Sequence, residues 1–215
     1  MQKAKNVFQS IYKGLWQKMP VELDSFEKGK TALVIMDMVN GFVREGKMRN
    51  PLAEDLIEPI VGLMRECKKR GFPILAFGDM HQEDSPEFSV YEKHCVQESS
   101  QTEVVSEIRS EGGYELIHKN STNGFLEEAF QEWMKAHSDI DSFIVVGVCT
   151  DICVMQFCLT LKAWFNKQDK ASRILVPLDG VETYDVRMHN ITLTNTMAAY
   201  FMEESGIEVA LNLVY

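Results

Sequence analysis

The sequence predicts an α/β fold, a six-stranded parallel sheet held between two helical layers in a three-layer α-β-α arrangement. Three observations predict it. Short apolar, β-branched runs alternate with longer segments whose apolar residues recur at helical spacing. The runs are apolar throughout rather than at every second position, the mark of strands buried on both faces. Glycine and proline punctuate the boundaries, as at Pro59, Gly71, Pro73 and Gly206.

Taken in order, the first 19 residues form a helix with Val7, Phe8, Ile11, Tyr12, Leu15, Trp16 and Met19 on one face. Its charges are all lysines (3, 5, 13 and 18). A basic amphipathic helix can lie on a membrane, but the absence of Arg, the aromatic content and Gly14 favour docking on the body or on a sister subunit. Residues 1–29 therefore read as an N-terminal amphipathic helix and linker, and 30–215 as one domain. Strand 31–36 ends at Asp37. Pro59 opens a helix that Gly71 stops. Strand 73–77 leads to Gly78-Asp79 and a long polar connection, 80–113, of the kind that is usually functional. Strand 114–118 ends at Lys119, and helix 123–137 turns Phe125, Leu126, Ala129, Phe130 and Trp133 inward. Strand 143–148 runs into a helix that Thr150 caps, with Asp151 in its first turn. Strand 173–178, helix 189–205 and strand 207–214 complete the chain.

The bulk properties exclude several classes. A net charge of −10 opposes binding to a nucleic-acid backbone. Five cysteines, at 67, 95, 149, 153 and 158, follow no secretory leader and read as reduced thiols of a cytoplasmic protein. No apolar run is long enough to span a bilayer. The lysine-rich helix and the acidic body could pair between subunits, so a homo-oligomer is open.

In a parallel sheet, ligands bind beyond the carboxyl ends of the strands, where Asp37, Asp79, Lys119 and Cys153 all fall. No strand leads into a glycine-rich phosphate loop. Cys153, in the first turn after a strand, has a helix dipole that favours a thiolate nucleophile, although a free cysteine can equally be a small core residue. Asp37 could take the thiol proton and later pass it to a leaving amine, and Lys119 could hold Asp37 in place. Asp79 and His81 share one face of an extended segment. His94 could return to them from the long loop, with Glu87 or water completing an N/O site suited to Zn, Mn or Fe.

Together, DMVNGF at 37–42, HKNSTNGF at 118–125 and VGVCTDICV at 146–154 resemble the motifs of the isochorismatase-like cysteine hydrolases, with most likeness to the nicotinamidase branch. The resemblance spans about nine-tenths of the chain, from Lys30 onward, and its most specific piece is GVCTDIC. It implies a Rossmann-like sheet and an Asp37-Lys119-Cys153 triad acting through a thioester. It also implies an oxyanion hole from the N–H groups of Cys149 and Cys153, beside a cis Val148–Cys149 peptide. A divalent metal, zinc foremost, would be held by Asp79, His81 and His94, with Glu87 where other members carry a second histidine. Phe42 and Tyr91 would pack against the substrate ring. The implied reaction is hydrolysis of nicotinamide to nicotinic acid and ammonia in NAD salvage. Another small amide or carbamoyl substrate, or a catalytically silent binding protein of the same fold, are the alternatives.

Overall fold

The computed structural model describes residues 1–215. Its elements are α1 (Gln2–Leu15), β1 (Val21–Glu22), β2 (Thr31–Met36), α2 (Asn40–Val43), α3 (Ile57–Arg70), β3 (Ile74–Asp79), α4 (Ser106–Glu111) and β4 (Glu115–Lys119). There follow α5 (Glu128–Ala136), β5 (Ser142–Val148), α6 (Met155–Lys167), β6 (Arg173–Pro177), β7 (Val181–Glu182), α7 (Ile191–Glu204), β8 (Glu208–Ala210) and β9 (Leu213–Val214).

Six strands form the main sheet in the order β4-β3-β2-β5-β6-β8, every pairing parallel, with the short β7 added to the end of β5. The α/β three-layer fold expected from the sequence is thus the one that forms. Side-chain alternation along each strand feeds two separate cores. Leu33 and Ile35 of β2 join Ile144 and Val146 of β5 beneath α3 and α4. Ala32, Val34 and Met36 point the other way, with Phe143 and Val145, into a core closed by α5, α6 and α7. That opposite burial explains why the runs are apolar at every position. The sheet order reverses direction between β2 and β5, which opens a crevice at their carboxyl ends.

Gly147 controls how closely the strands approach at that crevice. Its φ is +111°, and a Cβ there would lie 2.0 Å from the carbonyl oxygen of Met36 on the paired strand. Only glycine satisfies both conditions. On the second core's outer side, α1 is seated through buried Leu15 and partly buried Ile11, and Lys18 pairs with Glu203 of α7. No helix is long and apolar enough to cross a membrane.

Two local expectations are corrected. The helix expected from 123 begins only at Glu128, because Asn123 caps a separate 3-10 turn, 124–126, and Glu127 is extended. That break rotates the helical face, leaving Leu126 65% exposed and Ala129 exposed while Phe125 stays inside. The last strand is two pieces: β8 extends the main sheet, whereas β9 leaves it to pair with β1. The long polar connection 80–113 carries α4 and two 3-10 turns, anchored by buried Cys95, Val104, Val105 and Ile108.

Gly147→Ala should lower stability by about 3 kcal/mol or more, read as a lower denaturant midpoint at unchanged slope. An unchanged midpoint would mean that β2 and β5 can separate without cost.

Candidate active site

The three strand ends β4-β3-β2 deliver Lys119, Asp79 and Asp37 side by side, and the turn after β5 brings Cys153 from across the crevice. All four side chains are buried. The Lys119 ammonium lies 3.0 Å from Asp37 Oδ2, 2.5 Å from Asp79 Oδ1 and 3.6 Å from Cys153 Sγ, and it donates to the Ser121 carbonyl at 3.1 Å. Asp37 adopts φ +54°, an uncommon backbone state for a residue with a Cβ, of the kind that clusters at functional sites. Neither of its buried oxygens makes an aligned hydrogen bond.

The two carboxyls respond in opposite directions. Burial dominates at Asp37 and pushes its pKa up to about 6, against the pull of Lys119 and with the push of Asp79. At Asp79 burial is overcome by the Lys119 charge and by hydrogen bonds from His81 and His94, which hold it well below the usual carboxylate range. Burial would also discharge Lys119, but the two carboxylates keep it an ammonium.

Two expectations about the Cys153 turn are corrected. Residues 150–154 form a π-helical turn and α6 starts only at Met155, so Thr150 caps nothing; its buried hydroxyl has no partner. In this setting the Cys153 thiol is pushed up, not down. Burial first, then the charges of Asp37 and Asp79, raise its thiol well above the ordinary value against the opposing Lys119. The Val148–Cys149 peptide is cis, and the Cys149 amide has no acceptor within the protein.

Asp79 is shared with a second group. Its Oδ2 lies 3.1 Å from both His81 Nε2 and His94 Nε2, and Glu87 Oε1 lies 3.7 and 4.0 Å from the same two nitrogens. One ligand atom from each of the four residues falls within a 4.8 Å cluster. The long connection makes this possible: its return segment pairs with His81 through a β-bridge at Val96, and the His81 amide donates to the Cys95 carbonyl. His94 Nδ1 donates to the Glu92 carbonyl at 2.6 Å, and His81 Nδ1 to Asn120 Oδ1 at 2.9 Å. Both rings therefore turn Nε2 inward, the outer-shell arrangement of metal-binding histidines. Burial and the Asp79 charge raise the carboxyl of Glu87, a repulsion that a cation among them would neutralise. Two imidazoles and two carboxylates fit a divalent zinc, manganese or iron ion.

A cavity of about 340 Å³ joins the two groups, lined by Asp37, Cys153, Asp79, Glu87 and His94 and walled by Phe42 and Tyr91. The Phe42 ring centroid lies 5.3 Å from that of His94, and Tyr91 stands edge-on to His94 at 6.4 Å. Sequence reasoning missed Met48, Thr122, Ile152 and Tyr184, which also line the cavity. It missed Phe88, edge-on to His81 at 5.4 Å and to His94 at 5.6 Å, and Asn120, although Asn120 directly follows Lys119 at a strand end and so carried a usable signal. Tyr184 had none: it is placed by stacking on His189 at 3.8 Å, and His189 in turn pairs with Asp151 at 2.9 Å.

Lys119→Met should cost about 3–5 kcal/mol near neutral pH, because it leaves two buried carboxylates without their cation. Asp37 is already raised in the folded protein, so the variant's deficit should grow as pH rises through its folded pKa and shrink in acid, where the carboxyl binds a proton. Denaturant melts at about pH 5 and pH 8 check the sign. An equal deficit at both would mean that Lys119 acts only through packing.

Known proteins share the sequence pattern and the fold. Residues 31–204 match the isochorismatase domain family. The chain is 30% identical to nicotinamidase 1 of Arabidopsis thaliana over 203 residues, covering 84% of this chain and 82% of that protein. Among solved structures, N-carbamoylsarcosine amidase of Thermoplasma acidophilum superposes with a TM-score of 0.68 at 28% identity, over 84% of this chain and 95% of that one. The pyrazinamidase of Pyrococcus horikoshii, solved in complex with zinc, shares the fold with a TM-score of 0.69 at 20% identity, over 84% and 98%. The chain belongs to the isochorismatase family and is an amidohydrolase of its nicotinamidase-like kind.

Proposed function

We propose that this enzyme hydrolyses nicotinamide to nicotinic acid and ammonia through a thioester on Cys153, as a cytoplasmic step of NAD salvage. The observation that carries the reading is the shared cavity: a buried Asp-Lys-Cys group and a four-ligand cluster face one aromatic-walled space. A pyridine carboxamide has two matching ends, a scissile amide and a ring nitrogen with a free lone pair. The relative named nicotinamidase supports the substrate, and the zinc of the pyrazinamidase structure supports the metal. Residues 30–215 form the hydrolase domain, with 1–29 an appended helix and linker.

In this reading Asp37 is the base. Its raised pKa, about 6, keeps it ionised yet basic near neutral pH, as general-base catalysis requires. It takes the Cys153 thiol proton as sulfur attacks the amide carbonyl, which resolves the problem of a thiol that burial keeps protonated. Lys119 stays charged beside the acid, the sulfur and Asp79. The carbonyl oxygen becomes an oxyanion that the N–H groups of Cys149 and Cys153 receive. Collapse breaks the C–N bond, and Asp37 returns the proton to the leaving nitrogen, giving ammonia. Water, deprotonated by Asp37, then attacks the thioester and releases the carboxylic acid and the thiol. Asp79, His81, Glu87 and His94 would hold a divalent ion, which when bound supplies a Lewis-acid anchor for the ring nitrogen. Phe42 and Tyr91 pack against the ring.

A second reading rests on the likeness to N-carbamoylsarcosine amidase, at 28% identity. It keeps the thiol chemistry and changes the amide to a carbamoyl compound.

Purified protein loaded with zinc should release ammonia from nicotinamide, and a chelator should suppress it. Release only from carbamoyl compounds would move the substrate to the second reading. Cys153→Ala should abolish turnover, with substantial residual rate excluding the thioester. His81→Ala should lower the bound metal measured by elemental analysis, independently of rate. The acid limb of kcat/KM should have an apparent pKa of about 6, falling about ten-fold per unit below it. Asp37→Asn should slow turnover by roughly 10²–10⁴-fold. A limb that persists in Asp37→Asn would assign the base elsewhere.

A further inference from the structure

Asp151 shares its turn with Cys153 but has no part in the proposed reaction. Its Oδ1 accepts the Thr183 hydroxyl at 2.6 Å, and its Oδ2 lies 2.9 Å from His189 Nε2. Thr183 and His189 stand at the two ends of one loop, and Tyr184 is the residue of that loop that lines the active-site cavity. One carboxylate thus grips both ends of the segment that presents Tyr184, from a position two residues before the thiol.

The loop is also fixed from within. Val186 and His189 exchange backbone hydrogen bonds at 3.1 and 2.9 Å, closing a tight turn in which Arg187 adopts φ +54°. Thr183 is fully buried, and its carbonyl accepts Asn50 Nδ2 at 3.1 Å. His189 Nδ1 donates to the Tyr184 carbonyl at 2.8 Å. The two rings lie flat on each other, 3.8 Å between centroids and 12° between planes. His189 therefore holds both the main chain and the side chain of Tyr184. Val186 and Met188 are exposed, so hydrogen bonds and the stack, not apolar burial, hold this part of the loop. A side chain locked by packing and by outer hydrogen bonds is the form that a pre-organised contact takes. Burial, followed by the Asp151, Cys149 and Tyr91 charges, pushes the Tyr184 hydroxyl up to about 12, which keeps the ring neutral. The walls formed by Phe42 and Tyr91 lie against His94, whereas Tyr184 is tied to the turn that carries the sulfur.

We propose that Tyr184 is a specificity-determining wall of the active site, closing the cavity around a single flat ring, and that His189 and Asp151 are the positioning residues that set it. This rests on the proposed function only in taking the substrate to be a ring-bearing amide.

Steady-state kinetics of the zinc-loaded full-length protein with nicotinamide and the bulkier quinoline-3-carboxamide test this. Tyr184→Ala should raise KM for nicotinamide about ten-fold, with a smaller effect on kcat. It should also raise kcat/KM for the bicyclic amide relative to nicotinamide by about ten-fold or more. Tyr184→Phe keeps the ring and its stack and should keep the wild-type ratio. His189→Ala should shift the ratio the same way, and the double variant with Tyr184→Ala should shift it no further, because His189 acts through that ring. If His189→Ala fails to fold, Asp151→Asn, which weakens both grips, takes its place. A ratio unmoved by Tyr184→Ala overturns the wall, and additive effects in the double variant overturn the positioning role. Calorimetric titration of both amides into zinc-loaded Cys153→Ala protein, with and without Tyr184→Ala, separates this from the proposed function. A Tyr184-dependent preference in binding, without turnover by the intact thiol, would remove that function and keep the wall. Failure of either amide to bind would overturn both.

Discussion

The buried ammonium of Lys119 is the interaction on which the rest of the site depends. It stands between two carboxylates from neighbouring strands and within 3.6 Å of the thiol sulfur. None of these charges would persist alone in such burial, since removing an ion from water costs far more than a single contact returns. The parallel register makes the arrangement possible. Asp79 pairs with Lys119 across β3 and β4, and Asp37 follows directly where β2 ends beside β3. The sheet aligns its strand ends, and the charges at those ends make burial tolerable for one another.

Asp79 links the two halves of the site. One of its oxygens meets Lys119, and the other faces both histidines. Asp37, only one strand away, has the same side chain but no aligned hydrogen bond. Environment alone drives the two acids apart, one held as an anion and one raised toward neutral pH. Such a separation is how a fold assigns different tasks to identical groups.

Much of this was legible in the sequence because it follows from local patterns. Continuous apolar runs marked the buried strands, and the ionisable residue at the end of each run marked the crevice. The sequence could not reveal features set by long-range packing. The helix-start position of Cys153 suggested a thiolate, but burial and two acids from other strands push its thiol up. Thr150 looked like a cap, yet the π-helical turn leaves its hydroxyl without a partner. Leu126 fitted a helical face until a 3-10 turn rotated it outward. Tyr184 reaches the cavity through a stack on His189, a contact without periodicity or motif.

The connection between β3 and β4 has a further consequence. It contributes Glu87, Tyr91 and His94, while Asp37, Lys119 and Cys153 come from strand ends and the turn after β5. In the proposed reading, the groups that would break the bond and those that would contact the rest of the molecule therefore reside on different kinds of backbone. The strand ends are locked by the sheet, whereas the connection is anchored by its own buried residues and one bridge to His81. On that reading, lengthening or trimming the segment would reshape the ring-facing wall and leave the sulfur where the sheet puts it.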